Sequence, residues 1–144
     1  MALRVLIDTN VWVSAFLNHH GIPAEIIMTW LEDRIEIVIS MPLLKEISDV
    51  LQRPRLQKKY KYTTKEIQNY LALIFERSRK VKPIGNVHLC RDIKDNVILE
   101  TAILGKATHL VTRDDIKRDL ELIRTMADSN ITVTSVSNLL KTLK

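Results

Sequence analysis

The sequence predicts an α/β protein in which a parallel β-sheet is covered by helices on both faces. Short apolar runs that contain valine or isoleucine, at residues 3–7, 35–39 and 109–112, are long enough for buried strands and too short for helices. Longer stretches with apolar residues at helical spacing separate these runs. Strands that alternate with helices form parallel sheets, because each connecting helix crosses a face of the sheet.

The predicted strands are short and apolar, and the first of them ends at Asp8. A brief edge strand and a strand close to the last helix complete the set, since both carry β-branched residues between turn signals. The strands are predicted at residues 3–7, 35–39, 81–84, 109–112 and 131–134.

The predicted helices are bounded by local start and stop signals. Pro23 is tolerated in a first turn, Ser40 is predicted to cap the next helix, and Thr63 with Glu66 forms a capping box. A loop is expected around Pro54, and Gly105 ends a helix as glycine often does. The helices are predicted at residues 10–18, 23–32, 42–51, 64–79, 94–104 and 136–143, with a short one after Asp114.

Length and composition predict a single domain over residues 1–144, with 46% apolar and 27% charged residues. The lone Cys90 excludes an internal disulfide framework and indicates a reducing compartment. Three glycines are too few for a phosphate-binding P-loop or a dinucleotide fingerprint. No apolar run approaches the ~20 residues of a membrane span, so a cytoplasmic location without membrane contact is expected.

The net charge of +5 is unevenly distributed along the chain. Residues 53–82, here called the basic segment, contain ten cations and two acids, a local charge of +8 that leaves −3 for the rest. This suits a polyanion held at one place, although a solvated helix face would carry the same charges. Tyr60 and Tyr62 either stack on bases or anchor the segment to the core. The candidate nucleic-acid contacts are Arg53, Arg55, Lys58, Lys59 and Lys61.

Two aspartates stand at the ends of predicted strands, Asp8 after the first and Asp114 just beyond residues 109–112. In open parallel sheets the functional site lies outside the carboxyl ends of the strands, so both side chains face one crevice if the strands are neighbours. Asp95 in the first turn of a helix, and Glu46 about a turn into another, are placed to face the same crevice. A helix start also attracts acids through its dipole, and Glu46 alone is equally consistent with a solvent-facing residue.

Four ionised carboxylates in one crevice repel one another, by about 4 kcal/mol for a pair at ~4 Å in an effective dielectric of about 20. A cation is therefore expected between them, and oxygen ligands select Mg²⁺ or Mn²⁺. The histidines and Cys90 show no spacing typical of a zinc site. Such a metal centre activates water for attack on a phosphodiester, while the basic segment holds the nucleic acid.

Four motifs together resemble the PIN domain, in particular the bacterial and archaeal group of toxin components of toxin–antitoxin pairs. They are IDTNVWVSAF, LLKEI, DIKDNVILETAI and HLVTRDD, and the resemblance covers residues 5–136. It implies a three-layer α/β/α sandwich with a Rossmann-like central parallel sheet, and a ribonuclease that hydrolyses single-stranded RNA. The family's four catalytic acids, which bind Mg²⁺ or Mn²⁺, match Asp8, Glu46, Asp95 and Asp114. A homodimer and an antitoxin partner are further expectations from the family.

Residues beside the four acids also match or depart from the family pattern. Asn10 and Thr112 match polar residues that line the family's site. Asp92 and Asp115 are extra acids next to the third and fourth positions, where each is able to replace or assist its neighbour. The helix start favours Asp95 and the strand end favours Asp114. Arg113 stands where the family usually has glycine, and it is a candidate phosphate contact or, alternatively, a residue that narrows the metal site.

The sequence leaves competing classes to weigh. A catalytically silent PIN fold that binds RNA or protein would be marked by an incomplete set of acids, whereas all four are present here. A phosphatase of the haloacid dehalogenase type needs a second aspartate two residues after Asp8, where Asn10 stands. A phosphate-accepting receiver domain needs its acceptor after a central strand and a lysine near a late one. The favoured function is a metal-dependent endoribonuclease.

Overall fold

The computed structural model describes residues 3–112 and 120–143, and strands and helices alternate along them. The strands are β1 (Leu3–Ile7), β2 (Ile35–Ser40), β3 (Arg79–Val81), β4 (His109–Thr112) and β5 (Thr132–Ser135). The helices are α1 (Thr9–Leu17), α2 (Ile22–Leu31), α3 (Met41–Leu51), α4 (Pro54–Tyr60), α5 (Thr64–Arg77), α6 (Ile93–Leu104), α7 (Leu120–Asp128) and α8 (Val136–Leu143). Within these two ranges no helix is long and apolar enough to cross a membrane.

The strands form one sheet in the order β3-β2-β1-β4-β5, and each adjacent pair is parallel. The central strand β1 pairs with β2 on one side, with Leu6 opposite Val38, and with β4 on the other, with Ile7 opposite Val111. Because all strands run in the same direction, their carboxyl ends lie at one edge of the sheet. This edge is called the carboxyl edge below.

Helices cover both faces of this sheet. On one face α6 packs against β1, β2 and α7. On the other face α1 contacts α2 and α3, α2 contacts α8, and α3 contacts α5. The predicted α/β/α sandwich with a central parallel sheet is therefore confirmed. Connecting helices of this kind bury both faces of a parallel sheet, which explains why β1 and β2 are mostly apolar.

An aromatic cluster joins α1 to the neighbouring helices. The rings of Trp12 and Trp30 meet edge to face with centroids 5.4 Å apart, and Phe16 contacts both Tyr62 and Tyr70. The Tyr70 hydroxyl donates a hydrogen bond of 2.7 Å to the carbonyl of Trp12. Burial raises the pKa of Tyr70, so its phenol stays protonated and keeps this bond. The cluster fixes α5 against α1.

Gly105 allows α6 to end close to β2. A Cβ atom at this position would lie 2.8 Å from Cγ2 and 3.0 Å from Cβ of Val38, and closer still to its Cγ1. Any side chain here would therefore push the helix end away from the strand. The contact also shows that Val38 points to the face of the sheet that α6 covers.

Two sequence predictions were wrong in the region before α6. The expected loop at Pro54 is instead the start of α4, since proline fits a first helical turn and Arg53 before it is extended. The edge strand predicted at 81–84 is β3, Arg79–Val81, because β2 offers Val38–Ser40 as its pairing partners. The prediction of a short helix directly after Asp114 falls on residues outside the described ones, and α7 is described as Leu120–Asp128.

Two predicted helix caps had different outcomes. The Thr63 capping box is confirmed, with the Glu66 backbone N–H donating to the Thr63 hydroxyl at 3.1 Å and the Glu66 carboxylate accepting from the Thr63 backbone N–H at 3.2 Å. Ser40 does occupy the cap position of α3, but its side chain makes no capping bond. Its hydroxyl instead lies 2.9 Å from the hydroxyl of Thr101 on α6. The Ser40 hydroxyl thus bonds to a residue 61 positions later in the chain instead of forming the local capping bond.

Candidate active site at the carboxyl edge

Small polar residues form a row across the carboxyl edge of the sheet. The backbone N–H of Asp8 donates to the carbonyl of Val111 at 3.0 Å, so the ladder between β1 and β4 continues one residue past β1. The strand registers then place Asp8 between Ser40 and Thr112, with Ser135 beyond Thr112. Asp8, Ser40 and Thr112 are all buried. One carboxylate therefore stands in a row of hydroxyl groups where four neighbouring strands end.

This polar row lies on the face of the sheet that α6 covers. Neighbours in register on parallel strands point to the same face. Ser40 meets Thr101 of α6, and Val38, two residues earlier on the same face, lies against Gly105 at the end of α6. Asp8 is consequently positioned on the side of the sheet from which α6 supplies Asp95.

The first turn of α6 is held in place by its own side chains. Asp92 caps the helix by accepting a 2.9 Å hydrogen bond from the backbone N–H of Lys94. The Asn96 side chain accepts from the Cys90 N–H at 2.8 Å and donates to the Cys90 carbonyl at 3.0 Å. Asp95 lies between these two anchors and is only 8% exposed. A buried carboxylate on a doubly anchored turn has a fixed position.

Glu46 approaches the same region from α3. It is half-buried and lines a groove of about 240 Å³ between the first turns of α3 and α6. The groove is lined by Pro42, Leu43, Lys45, Glu46, Asp49, Lys94 and Val97. Glu46 thus shares this groove with Lys94, the neighbour of Asp95 in the chain, whereas Asp95 itself does not line it.

The remaining predicted site residues differ in their burial and in their roles. Asn10 is exposed on α1, Thr112 is buried at the end of β4, and the exposed Asp92 is engaged as a helix cap. The predictions for Arg113, Asp114 and Asp115 lie outside the described residues.

The donor set bears on the expected metal. Asp8, Asp95 and Glu46 offer oxygen atoms, with the hydroxyls of Ser40 and Thr112 nearby, and this chemistry fits a hard divalent cation. Across residues 3–112 and 120–143, no group of three histidine, cysteine, aspartate or glutamate side chains is close enough together to hold a metal ion. Asp8, Glu46 and Asp95 therefore do not form such a group by themselves, and Asp114, the fourth predicted ligand, lies outside the described residues.

Two buried polar residues of α6 were missed by the sequence analysis. Glu100 is 5% exposed, and its carboxylate accepts the backbone N–H groups of Ile84 at 2.6 Å and Gly85 at 3.1 Å. It fastens the loop after β3 to α6. Thr101 is fully buried and joins α6 to Ser40. A signal was available, because Glu100 and Thr101 interrupt the apolar stretch VILETAI, and a polar residue there needs a buried partner.

The basic segment presents its first cations on and around α4. All five predicted contacts, from Arg53 to Lys61, are exposed, and they form no ion pair with the described residues. Tyr62 is buried and donates a 2.6 Å hydrogen bond to the Leu51 carbonyl, so it anchors the segment. Tyr60 is 43% exposed, and its ring lies 5.3 Å from the ammonium of Lys59. Of the two tyrosines, only Tyr60 is available for stacking.

A five-stranded parallel sheet between helical layers, with buried acids at its carboxyl edge, defines the class of α/β proteins to which PIN domains belong. The family model described as PIN domain matches residues 4–115. The chain therefore belongs to the PIN domain family, as its motifs predict.

Two known proteins are similar to this chain. Uncharacterized protein MJ1680 of Methanocaldococcus jannaschii is 35% identical over 112 residues, which cover 78% of this chain and 71% of that protein. A chain of the crystal structure of VapBC2 from Rickettsia felis, bound to a DNA fragment from their promoter, superposes with a TM-score of 0.52 at 20% identity. That superposition covers 92% of this chain and 98% of the other and supports the fold.

Proposed function

We propose that this PIN domain is a Mg²⁺- or Mn²⁺-dependent endoribonuclease that hydrolyses phosphodiester bonds of single-stranded RNA. The observation that supports the proposal is a pair of buried carboxylates, Asp8 directly after β1 at the carboxyl edge and Asp95 in the first turn of α6, the helix that covers the same face of the sheet. Open parallel sheets place their functional sites at this edge, and carboxylate oxygens are the ligands that hard divalent cations prefer.

The proposed metal ligands are Asp8, Glu46, Asp95 and Asp114. A divalent cation bound there supplies an activated water and stabilises charge on the leaving oxygen. The chain's own contribution is rigidity, because the Val111 carbonyl holds the backbone of Asp8, and Asp92 with Asn96 holds the turn that carries Asp95. The hydroxyls of Ser40 and Thr112 keep the edge polar around these acids.

The proposed substrate class is supported by the charge of the basic segment. Exposed cations on and around α4 form no ion pair with the described residues, and the exposed ring of Tyr60 lies among them. Phosphate groups bind such cations, and bases stack on exposed aromatic rings. Arg113, next to the fourth acid, is proposed as a further phosphate contact.

The biological role we propose is that of a toxin of a toxin–antitoxin pair in the cytoplasm, acting as a homodimer that an antitoxin protein binds. The likeness of the motifs to such toxins and the fold shared with the VapBC2 chain support this role. Coexpression with the product of a small neighbouring gene tests it. Copurification with relief of growth arrest is expected, and unchanged arrest would refute the role without affecting the nuclease.

Exchange of Asp8 for asparagine tests the nuclease proposal. Asp8→Asn is expected to abolish Mn²⁺-dependent cleavage of single-stranded RNA, because it removes a proposed metal ligand. The fold should be retained, since asparagine has the shape of aspartate and the backbone bond to Val111 remains. The matched control is Asp128→Asn, an exposed position on α7. Cleavage by the Asp8 variant at the parent rate would refute the proposal.

The fourth acid is tested in the same assay. Asp114→Asn should lower cleavage by orders of magnitude, whereas Asp115→Asn should lower it much less, because Asp114 is one residue nearer to the end of the strand in the sequence. Equal losses would show that both aspartates are ligands.

A further inference from the structure

The groove between α3 and α6 has a chemical character that the acidic site does not explain. It contains two lysines, Lys45 and Lys94, and two acids, Glu46 and Asp49, so its formal charge is zero. Pro42, Leu43 and Val97 provide its apolar surface. A groove that served only to hold a cation would need neither lysines nor an apolar wall.

The two lysines are free to meet a ligand. Both are exposed, and no carboxylate among the described residues lies within ion-pair distance of either ammonium group. Each therefore has all its donors available for an incoming anion. Because their charges balance those of Glu46 and Asp49, an anion entering this groove meets no net repulsion.

The position of the groove connects it to the proposed reaction centre. The helix α3 begins directly after Ser40 of the polar row, and Lys94 precedes Asp95 in the first turn of α6. At about 240 Å³ and open to solvent, the groove is smaller than the ~300–1,000 Å³ typical of pockets that enclose a whole small ligand. It suits one unit of a longer chain that continues past it.

We propose that the α3–α6 groove is a nucleotide subsite for single-stranded RNA, in which Lys45 and Lys94 contact phosphate groups and Pro42 and Val97 support a base or sugar. The inference rests on the proposed ribonuclease function, and it adds a second binding surface besides the basic segment. A strand seated in the groove leads its phosphates past Glu46 towards Asp95.

Binding and cleavage of RNA by lysine variants test this subsite. The binding probe is a fluorescent single-stranded oligoribonucleotide of about a dozen nucleotides, measured by anisotropy in EDTA so that it is not cleaved. One lost phosphate contact lowers the slope of log K against log salt by about 0.7 for single strands, equivalent to about fivefold in Kd near 0.1 M salt. Lys94→Gln and Lys45→Gln should each weaken binding about fivefold, and KM for Mn²⁺-dependent cleavage should rise in parallel.

The matched control is Lys141→Gln, an exposed lysine on α8, which should leave Kd and KM unchanged. If the parent cleaves RNA while both groove variants match it in Kd, KM and salt slope, the subsite is refuted and the ribonuclease stands. If the parent binds RNA without cleaving it, the ribonuclease is refuted and the Kd values decide the subsite. If the parent neither binds nor cleaves RNA, both proposals are refuted.

Discussion

Replacement of Gly105 by alanine tests how closely α6 must approach the sheet. The new methyl group would stand 2.8 Å from Cγ2 of Val38 and nearer to its Cγ1. Val38 belongs to a central part of the sheet and is fully buried, so it has little space to move. The overlap is relieved only if the end of α6 shifts outwards or Val38 adopts another rotamer.

Two opposing effects set the magnitude of this change. Alanine at a residue with helical backbone angles gains up to about 1 kcal/mol relative to glycine, because it restricts the unfolded chain. Overpacking of a rigid core costs about 1–3 kcal/mol. The packing cost should prevail, because the clashing atoms belong to a buried strand residue. We expect a net loss of about 1–2 kcal/mol in the free energy of unfolding, which lowers the Tm by about 3–8 °C.

Thermal and urea unfolding of four proteins measure the effect as a double-mutant cycle. Gly105→Ala and Val38→Ala should each destabilise the protein, while the double variant should lose at least about 1 kcal/mol less than their sum, because the new methyl fills the vacated space. The control is Gly21→Ser, where the close neighbour is the rotatable amide of Asn18 and serine is a good helix cap. A Gly105→Ala variant as stable as the parent, or additive energies in the cycle, would refute the packing argument.

Three further outcomes are expected. Asp95→Asn should lower RNA cleavage by orders of magnitude and weaken Mn²⁺ binding in a titration. Asp92→Asn should do neither, because asparagine also caps helices. Equal losses in the two variants would show that Asp92 is a ligand too. Burial lowers the pKa of His109 below 6.5, so the unfolded state binds its proton first, and the free energy of unfolding should fall as pH drops from 7 through this range. His109→Asn should flatten that decline in urea titrations. A parent curve without the decline would contradict the assignment. Replacement of Lys58, Lys59 and Lys61 of the basic segment by glutamine should weaken RNA binding and flatten its salt dependence. An unchanged salt slope would show that these lysines form only a solvated helix face.

Local signals in the sequence account for most of the elements. The strand at residues 35–39 and the capping box at Thr63 were predicted correctly, since each depends on residues only a few positions apart. The helix α4 was missed because Pro54 is compatible with both a loop and a first helical turn. The half-buried Leu56 packs against the core, and the hydrogen bond from Tyr62 to the Leu51 carbonyl ties together the residues on either side of the helix; such contacts are not visible in a short stretch of sequence.

The candidate site was predictable in part for the same reason. The position of Asp8 after an apolar strand, and of Asp95 in a helix start, follows from short stretches of sequence. The strand order was not available from such stretches, so the row that joins Ser40, Asp8 and Thr112 could not be predicted. Glu100 was missed because its partners are backbone groups of a loop 15 and 16 residues earlier.

The central place of β1 has a consequence for folding during synthesis. The strand is made long before β4, since Val5 pairs with His109, which is made more than a hundred residues later. At about 5–20 residues per second, one edge of β1 waits on the order of ten seconds for its partner. During that interval the nascent half-sheet of β1, β2 and β3 exposes unpaired backbone groups and apolar side chains, as an edge strand does. Slowed translation between β3 and β4 should therefore increase aggregation of nascent chains.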